Sequence, residues 1–469
     1  MRKEICMQEI SLKLAEFAVN TKAEDIPEEV MLIQKKSVMD AIAVTLGASG
    51  IGEGCREFVD YAVQAAAGGR GEATVIGCGI KLPVVLAAFA NGSMAHSLDF
   101  SDTQATHSIH TNESTFAAAI SVAEYLGNVS GREFLAAMVI GNEVACRLSS
   151  GTTDRRKLPG YGWFMPSILV AYGATAAAGR LLGLSAEQMV NAFSFTLCQV
   201  MCSSELMNSG DSVMRSVREA FMARSAVTSA LLAKKDLKGF DAPFEGKLGF
   251  YHAFARDEVD YGLVVDDLGK VWQAKELCFK LWPSCLGTHS CIDAMLQLVK
   301  EHDIKPQEIE AVHVTIASVN KMLMEPSESR KAPESVINAK FSIPYTSAVA
   351  AVKRRVTLED FDDASLHDPL IRSVASKFTY DINEDWAPAG QGVRSQMRLS
   401  TTRGEFFKEV IWPYGHVNNP CTDAELGEKI YSCARYSRVP VDEERLKKII
   451  QAVSSIEETD DMRKITALL

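Results

Sequence analysis

The stretch Leu86–His110, LAAFANGSMAHSLDFSDTQATHSIH, decides how this chain is read. It sets three histidines and two aspartates into otherwise small, apolar sequence. If a helix runs from Leu82 to about Thr103, then His96, Asp99 and Thr103 fall at i, i+3 and i+7 on one face. Asp102 follows Asp99 by three, which would set the two carboxylates one turn apart. The polar run Gln104–Asn112 cannot continue that periodicity, and a new helix is expected near Ser114, in TFAAAISVAEYLG. His110 then stands just before a helix N-terminus, where unpaired amides and the positive dipole end favour anions and a neutral imidazole. A neutral histidine there suits a general base acting on a carboxylate. The structural alternative is a helix cap with a surface histidine.

Outward from this stretch the first part of the chain reads as helix after helix. Glu28–Leu46 has helical apolar spacing and is expected to stop at Gly47. Gly131–Leu148, Ala171–Leu182 and Ser185–Val200 follow, with Ser185 and Gln188 matching a capping box directly after Gly183. The small residues of Ala171–Gly179 let helices approach closely. Beyond Val271 the character changes. Glu310–Ile316 alternates like a half-buried strand, and Gln396–Thr401 and Glu405–Trp412 flank a hairpin turn at Thr402-Arg403-Gly404. Ala339–Val352 and Asp368–Ser376 read as helices between them. Helix returns at Glu425–Ile430, with Thr422 or Asp423 as N-cap, and at Glu443–Ser454. The expected class is mainly α with an α+β second domain: a helical domain from residues 1–270 and 414–469, and an α+β domain, 271–413, inserted in it.

At 469 residues two or three domains are expected, and 47% hydrophobic with 23% charged residues describes a globular chain. A net charge of −11 argues against nucleic-acid or anionic-membrane partners. MRKEICMQEI lacks the apolar core of a signal peptide. The uncharged run Leu158–Gly179 is interrupted by prolines and glycines, so a buried loop and helix are expected there rather than a membrane span. Eleven cysteines occur without a Cys-x-x-Cys pair or zinc or iron–sulfur spacing, so reduced thiols, no metal and a cytoplasmic location are expected. An iron–sulfur hydratase is disfavoured on the same ground. Gly47–Gly52, GASGIG, lacks the preceding strand of a phosphate loop.

Ala88-x-x-Asn91-Gly92-x-x-Ala95-His96-x-Leu98-Asp99-Phe100-x-Asp102-Thr103 resembles the signature of the MmgE/PrpD superfamily, which includes 2-methylcitrate dehydratase, cis-aconitate decarboxylase and iminodisuccinate epimerase. The resemblance continues through Gly141-Asn-Glu-Val with Arg147, AAAGRLLGL ending at Leu184, and Phe279-Lys-Leu-Trp-Pro-Ser-Cys-x-x-Thr-His289. Ala339-Lys-Phe-Ser-Ile-Pro-Tyr345 and Asn419-Pro420 complete it, so it covers essentially the whole chain in order. It implies an all-helical domain from both chain ends, a smaller lid domain between, a site in the cleft between the two, and pairing of two chains through the helical domains. It also implies no cofactor.

By that resemblance Asp99, Thr103 and His110 are catalytic, with His107 as the alternative site histidine. Arg215, Lys280 and His289 join the candidates for holding substrate carboxylates, and Cys285 for handling a proton. The chain departs from the dehydratase and decarboxylase pattern at three places. Gly162-Trp163-Phe164 ends in phenylalanine where those branches carry histidine. Arg215 stands for a site lysine and can bind a carboxylate but not donate a proton. Cys285 replaces the decarboxylase histidine. His252 or His416 could supply the missing imidazole. Plainer readings stand beside these: Arg215, Arg218 and Arg224 as a solvated helix face, Cys285 as an inert thiol, and His289 as a loop-orienting residue. Lys280 could instead salt-bridge at a hinge, and Tyr345 could be packing.

The leading expectation is a cofactor-free lyase acting on a small di- or tricarboxylate of the citrate, methylcitrate or aconitate kind. An epimerase of a substituted succinate, using His110 and Cys285 from opposite sides, is the second. A catalytically weakened carboxylate-binding paralogue is the third.

Overall fold

Runs of alanine and glycine become helices that meet backbone to backbone. The computed structural model describes residues 9–152, 162–209, 212–386 and 392–469. It divides into two units, one comprising the chain up to Leu277 with Leu426–Leu469, the other Cys278–Glu425.

In the first unit, α1 (Ile10–Asn20), α2 (Glu28–Ile51) and α3 (Cys55–Ala66) lead to a short antiparallel hairpin, β1 (Ala73–Val75) and β2 (Ile80–Leu82). Then come α4 (Val84–His96), α5 (Asn112–Leu126), α6 (Gly131–Gly151), α7 (Met165–Leu181), α8 (Ala186–Leu197) and α9 (Glu219–Ala233). Ala88, Ala117, Ala174, Ala192 and Ala226, one from each of α4, α5, α7, α8 and α9, share one buried core. α6 and α7 meet closely: a Cβ built on Gly173 would sit 2.5 Å from the Gly141 carbonyl oxygen, and one on Gly141 would sit 2.6 Å from that of Gly173. Ser185 caps α8 as its sequence indicates, accepting from the Gln188 amide at 3.1 Å while Gln188 Oε1 accepts from the Ser185 amide at 2.9 Å.

Gly47 does not end α2, which continues to Ile51. Its missing side chain instead admits Leu98 and Cys433, 3.1 and 3.2 Å from where a Cβ would stand. The uncharged run expected from Leu158 begins outside the described residues; from Met165 it is α7, with Pro166 tolerated in the first turn. No described helix is long and apolar enough to cross a membrane.

The second unit packs α10 (Leu286–Glu301), α11 (Ile343–Lys353) and α12 (Pro369–Ala375) with a four-stranded sheet. Its strand order is β4 (Phe378–Asn383), β3 (Ile309–Ala317), β5 (Ser395–Thr401) and β6 (Gly404–Val410). β3 runs parallel to β4 and antiparallel to β5, and β5 turns into β6 with Thr401 opposite Gly404. Val312, Val314 and Ile316 alternate inward with Met397 and Leu399 to make the core. The helix expected over Ala339–Val352 is broken in two, Val336–Lys340 and α11. Ser342 caps the second piece by accepting from the Tyr345 amide at 2.9 Å, and Pro344 has no N–H to continue the first.

Two later helices, α13 (Asp423–Ala434) and α14 (Glu443–Ser454), return the chain to the first unit from Leu426 onward. Lys429 on α13 enters its interior, donating to Asp40 Oδ1 at 2.5 Å and to the Phe100 carbonyl at 2.6 Å, with its ammonium 3.9 Å from the Phe100 ring centre. Asp40 Oδ2 accepts from the Asp102 amide at 3.0 Å, and the Asp102 carboxyl receives Asn112 Nδ2 at 2.9 Å and the Ser37 hydroxyl. Burial first, then the nearby Asp40, push the Asp102 carboxyl up to about 7, against the opposing pull of Ser37, Lys429 and Asn112.

A folded-state value above the ordinary one means that this group's contribution is fully present below about pH 4 and is lost as pH rises through about 7. Asp102→Asn mimics the neutral acid, so urea midpoints at about pH 5 and about pH 8 should lie closer together than in the wild type. Gly173→Ala should lower unfolding free energy by about 1–3 kcal/mol in urea titration. The gain of up to about 1 kcal/mol in helix propensity does not offset driving a methyl into the Gly141 carbonyl.

Candidate active site

α4 ends at His96. Asp99 turns into the left-handed region (φ 48°), its amide donating to the His96 carbonyl at 2.7 Å. His96, Asp99 and Thr103 therefore do not form the single helical face that their spacing suggests. Leu98 and Phe100 point into the core, and an aspartate tolerates the turn that puts them there. Thr103 and Gln104 are extended. The Gln104 amide then donates to the Ile109 carbonyl at 2.9 Å, and the Ser108 amide to the Gln104 carbonyl at 2.9 Å, with Ser108 at φ 53°. The chain doubles back, and a tight loop rather than a helix brings His110 beside Thr103.

His110 lies just ahead of α5, whose N-cap is Thr111. Its Nδ1 is 3.1 Å from the Asp102 carbonyl oxygen and 3.1 Å from Thr103 Oγ1. A carbonyl oxygen only accepts, so Nδ1 carries the hydrogen and the neutral ring keeps its basic lone pair on Nε2. The side chain is 18% exposed.

Behind it, the buried Glu113 of the first turn of α5 offers Oε1 to His96 Nδ1 at 2.6 Å and to the Ser101 hydroxyl. The same oxygen is 3.6 Å from His110 Nδ1, and the two imidazoles meet edge to face with centroids 5.0 Å apart. His96, His110 and Glu113 could converge on a cation. However, ligands about 2.0–2.1 Å from a tetrahedral metal stand about 3.3 Å apart, and the 2.6 Å His96–Glu113 contact is too short for that. The cluster is a hydrogen-bond network. Glu113 and Asp102 also border a cavity of about 10 Å³, the size of one water.

The other sequence candidates fall in several places. Asp99 is buried at its turn. His107 is tied to Gln273 Oε1 at 2.7 Å and Ser150 Oγ at 3.3 Å, a different set of partners from that of His110. Arg215 is half-buried, and Arg218 is fully buried rather than solvated. Arg218 Nε donates to Ser167 Oγ at 2.9 Å and lies 3.2 Å from Glu219 Oε1, and its guanidinium sits 5.0 Å from the centre of the Phe164 ring. Arg224 packs near the Phe89 and Phe221 rings, so the three arginines do not make a solvated face.

In the second unit Lys280 is fully buried. Cys285 is half-buried as N-cap of α10, its amide donating to the Lys340 carbonyl at 3.0 Å. His289 is buried with its ring centre 5.1 Å from that of Trp282. Tyr345 packs in the core and donates to the Asp360 carbonyl at 2.7 Å. His416 stacks on Trp412 at 4.4 Å, and burial holds its imidazole down at about 4. His252, in the first unit, is exposed beside Asp257. Glu113 and Ser101, which the sequence reading does not single out, and His96, which it names without a role, gather beside His110. The signal for Glu113 was present: it stands at i+3 from His110 in the first turn of a helix.

The family model described as the MmgE/PrpD N-terminal domain matches residues 12–261, and that of the MmgE/PrpD C-terminal domain matches residues 282–455. A cis-aconitate decarboxylase-like protein of Aspergillus oryzae is 25% identical, over 98% of this chain and 97% of its own. Human cis-aconitate decarboxylase is 24% identical over 83% of this chain and 80% of its own. The 2-methylcitrate dehydratase of Escherichia coli is 23% identical, over 73% of this chain and 75% of its own. With both domain models matched in order along its length, the chain belongs to the MmgE/PrpD family.

Proposed function

We propose that this chain is a cofactor-free lyase acting on a small di- or tricarboxylate, with His110 as the group that moves the proton. The observation that carries this reading is the 3.1 Å contact between His110 Nδ1 and the Asp102 carbonyl oxygen, which leaves the basic nitrogen of the neutral ring at Nε2. Nε2 can take a C–H proton beside a carboxylate, so that hydroxide leaves from the adjacent carbon. Once protonated, it can return a proton to a carbon that has lost CO₂. Both reactions need the same fixed imidazole, and relatives named as decarboxylases and as dehydratases support either. Thr103 restrains the ring through its hydroxyl. Arg215, half-buried, is proposed to bind a substrate carboxylate, and Asp99 to shape the loop.

The epimerase reading keeps one support: Phe164, not a histidine, stands against Arg218. We place the protein in the cytoplasm because its eleven cysteines are scattered without the paired spacing of a secreted disulfide framework. We further propose that it works as a homodimer, which sedimentation would show.

Purified protein incubated with cis-aconitate, citrate and 2-methylcitrate should change ultraviolet absorbance through loss or gain of an unsaturated acid. Absence of turnover with all three, together with exchange of a substituted succinate's α-hydrogen in deuterium oxide, would transfer the assignment to an epimerase. His110→Gln should cut kcat by about 10²–10⁴-fold with an unchanged melting curve. Thr103→Val should cost about 1 kcal/mol of transition-state stabilisation, roughly fivefold in kcat. Cys285→Ala, Lys280→Met and His289→Gln, assayed alongside, report whether the second unit's candidates take part.

A further inference from the structure

We infer that Glu113, held in place by His96 and Ser101, is a positioning residue that stabilises the protonated form of His110 through its charge. The inference rests on the reading of His110 as the proton-moving group and adds to it a buried counter-charge that no motif assigns.

Three groups converge on one oxygen. Glu113 Oε1 accepts from His96 Nδ1 at 2.6 Å and from the Ser101 hydroxyl, and His110 Nδ1 is 3.6 Å away. That last separation exceeds a hydrogen bond, so Glu113 acts on His110 through charge while the Asp102 carbonyl takes the proton of Nδ1 at 3.1 Å. When Nε2 gains a proton the ring becomes a cation, and a carboxylate this close, shielded from water, favours it. The two donors on Oε1 keep the carboxylate from rotating away. His96 donates from Nδ1, and its ring centre stands 5.0 Å from that of His110. Glu113 lies in the first turn of α5, where the positive end of the helix dipole favours a negative group. An oriented imidazole backed by a buried carboxylate follows the general logic of histidine bases, with a through-space contact in place of a direct bond.

Other charges face this cluster and could alter its titration. Asp102 stands beside it, backed by Asp40 on α2 and Lys429 on α13. The Glu219 carboxylate of α9 accepts from Ser114 Oγ, one residue beyond Glu113, and carries Arg218 beside it. All remain in place in Glu113→Gln, which keeps the side chain's size and one acceptor oxygen while removing its charge.

The test joins ¹⁵N-histidine NMR of the resting protein, assigned with His110→Gln, to the pH profile of kcat/KM. Wild-type His110 should appear as the Nδ1–H tautomer when neutral. In Glu113→Gln its titration should move to lower pH by about one unit or more. The acidic limb of kcat/KM should move with it, kcat should fall about 10- to 100-fold, and KM should change less. Ser101→Ala should give a smaller shift in the same direction. A titration unmoved in Glu113→Gln overturns the inference. So does a wild-type spectrum showing the Nε2–H tautomer, which requires no variant to fold. The NMR arm needs no substrate: a Glu113-dependent titration without turnover upholds this inference and refutes the lyase reading, whereas turnover indifferent to Glu113 does the reverse.

Discussion

One buried ammonium holds the site loop from behind. Lys429 reaches from α13 to Asp40 and to the carbonyl of Phe100, and Asp40 in turn receives the amide of Asp102. The carbonyl that Asp102 turns the other way is the one that fixes His110. Removing either partner of a buried ion pair leaves an uncompensated charge, which commonly costs about 3–5 kcal/mol. The position of the His110 imidazole therefore depends on a contact that it does not itself make.

The architecture was legible wherever periodicity carried it. Val312, Val314 and Ile316 alternate as a strand must, Gly404 marks its hairpin, and the Ser185–Gln188 cap forms as spelled. What failed were inferences that treated a residue as a local signal when its packing decided the outcome. Gly47 reads as a stop because glycine favours helix ends, yet it lies mid-helix where Leu98 and Cys433 need the space. Arg218 reads as surface because arginine usually is, yet Glu219, Ser167 and the Phe164 ring enclose it.

The site shows the same division. The spacing rightly put His110 before a helix. It set His96, Asp99 and Thr103 on one helical face, whereas the helix stops at His96 and the chain turns at Asp99. The turn at Ser108 then brings His110 back beside Thr103. Glu113 was missed because a glutamate in a first helical turn is ordinarily a solvated partner of the dipole. Nothing local says that His96 and Ser101 fold over it and exclude water.

The contribution of Lys429 also has a temporal side. During synthesis the loop and α2 emerge hundreds of residues before the cation that neutralises Asp40, so the carboxylate side of this network waits for its partner. Until then Asp40 is better solvated than enclosed. The floor beneath His110 can close only after the 389 residues that separate Asp40 from Lys429 have been made, which sets a long interval between the birth of this loop and its fixing.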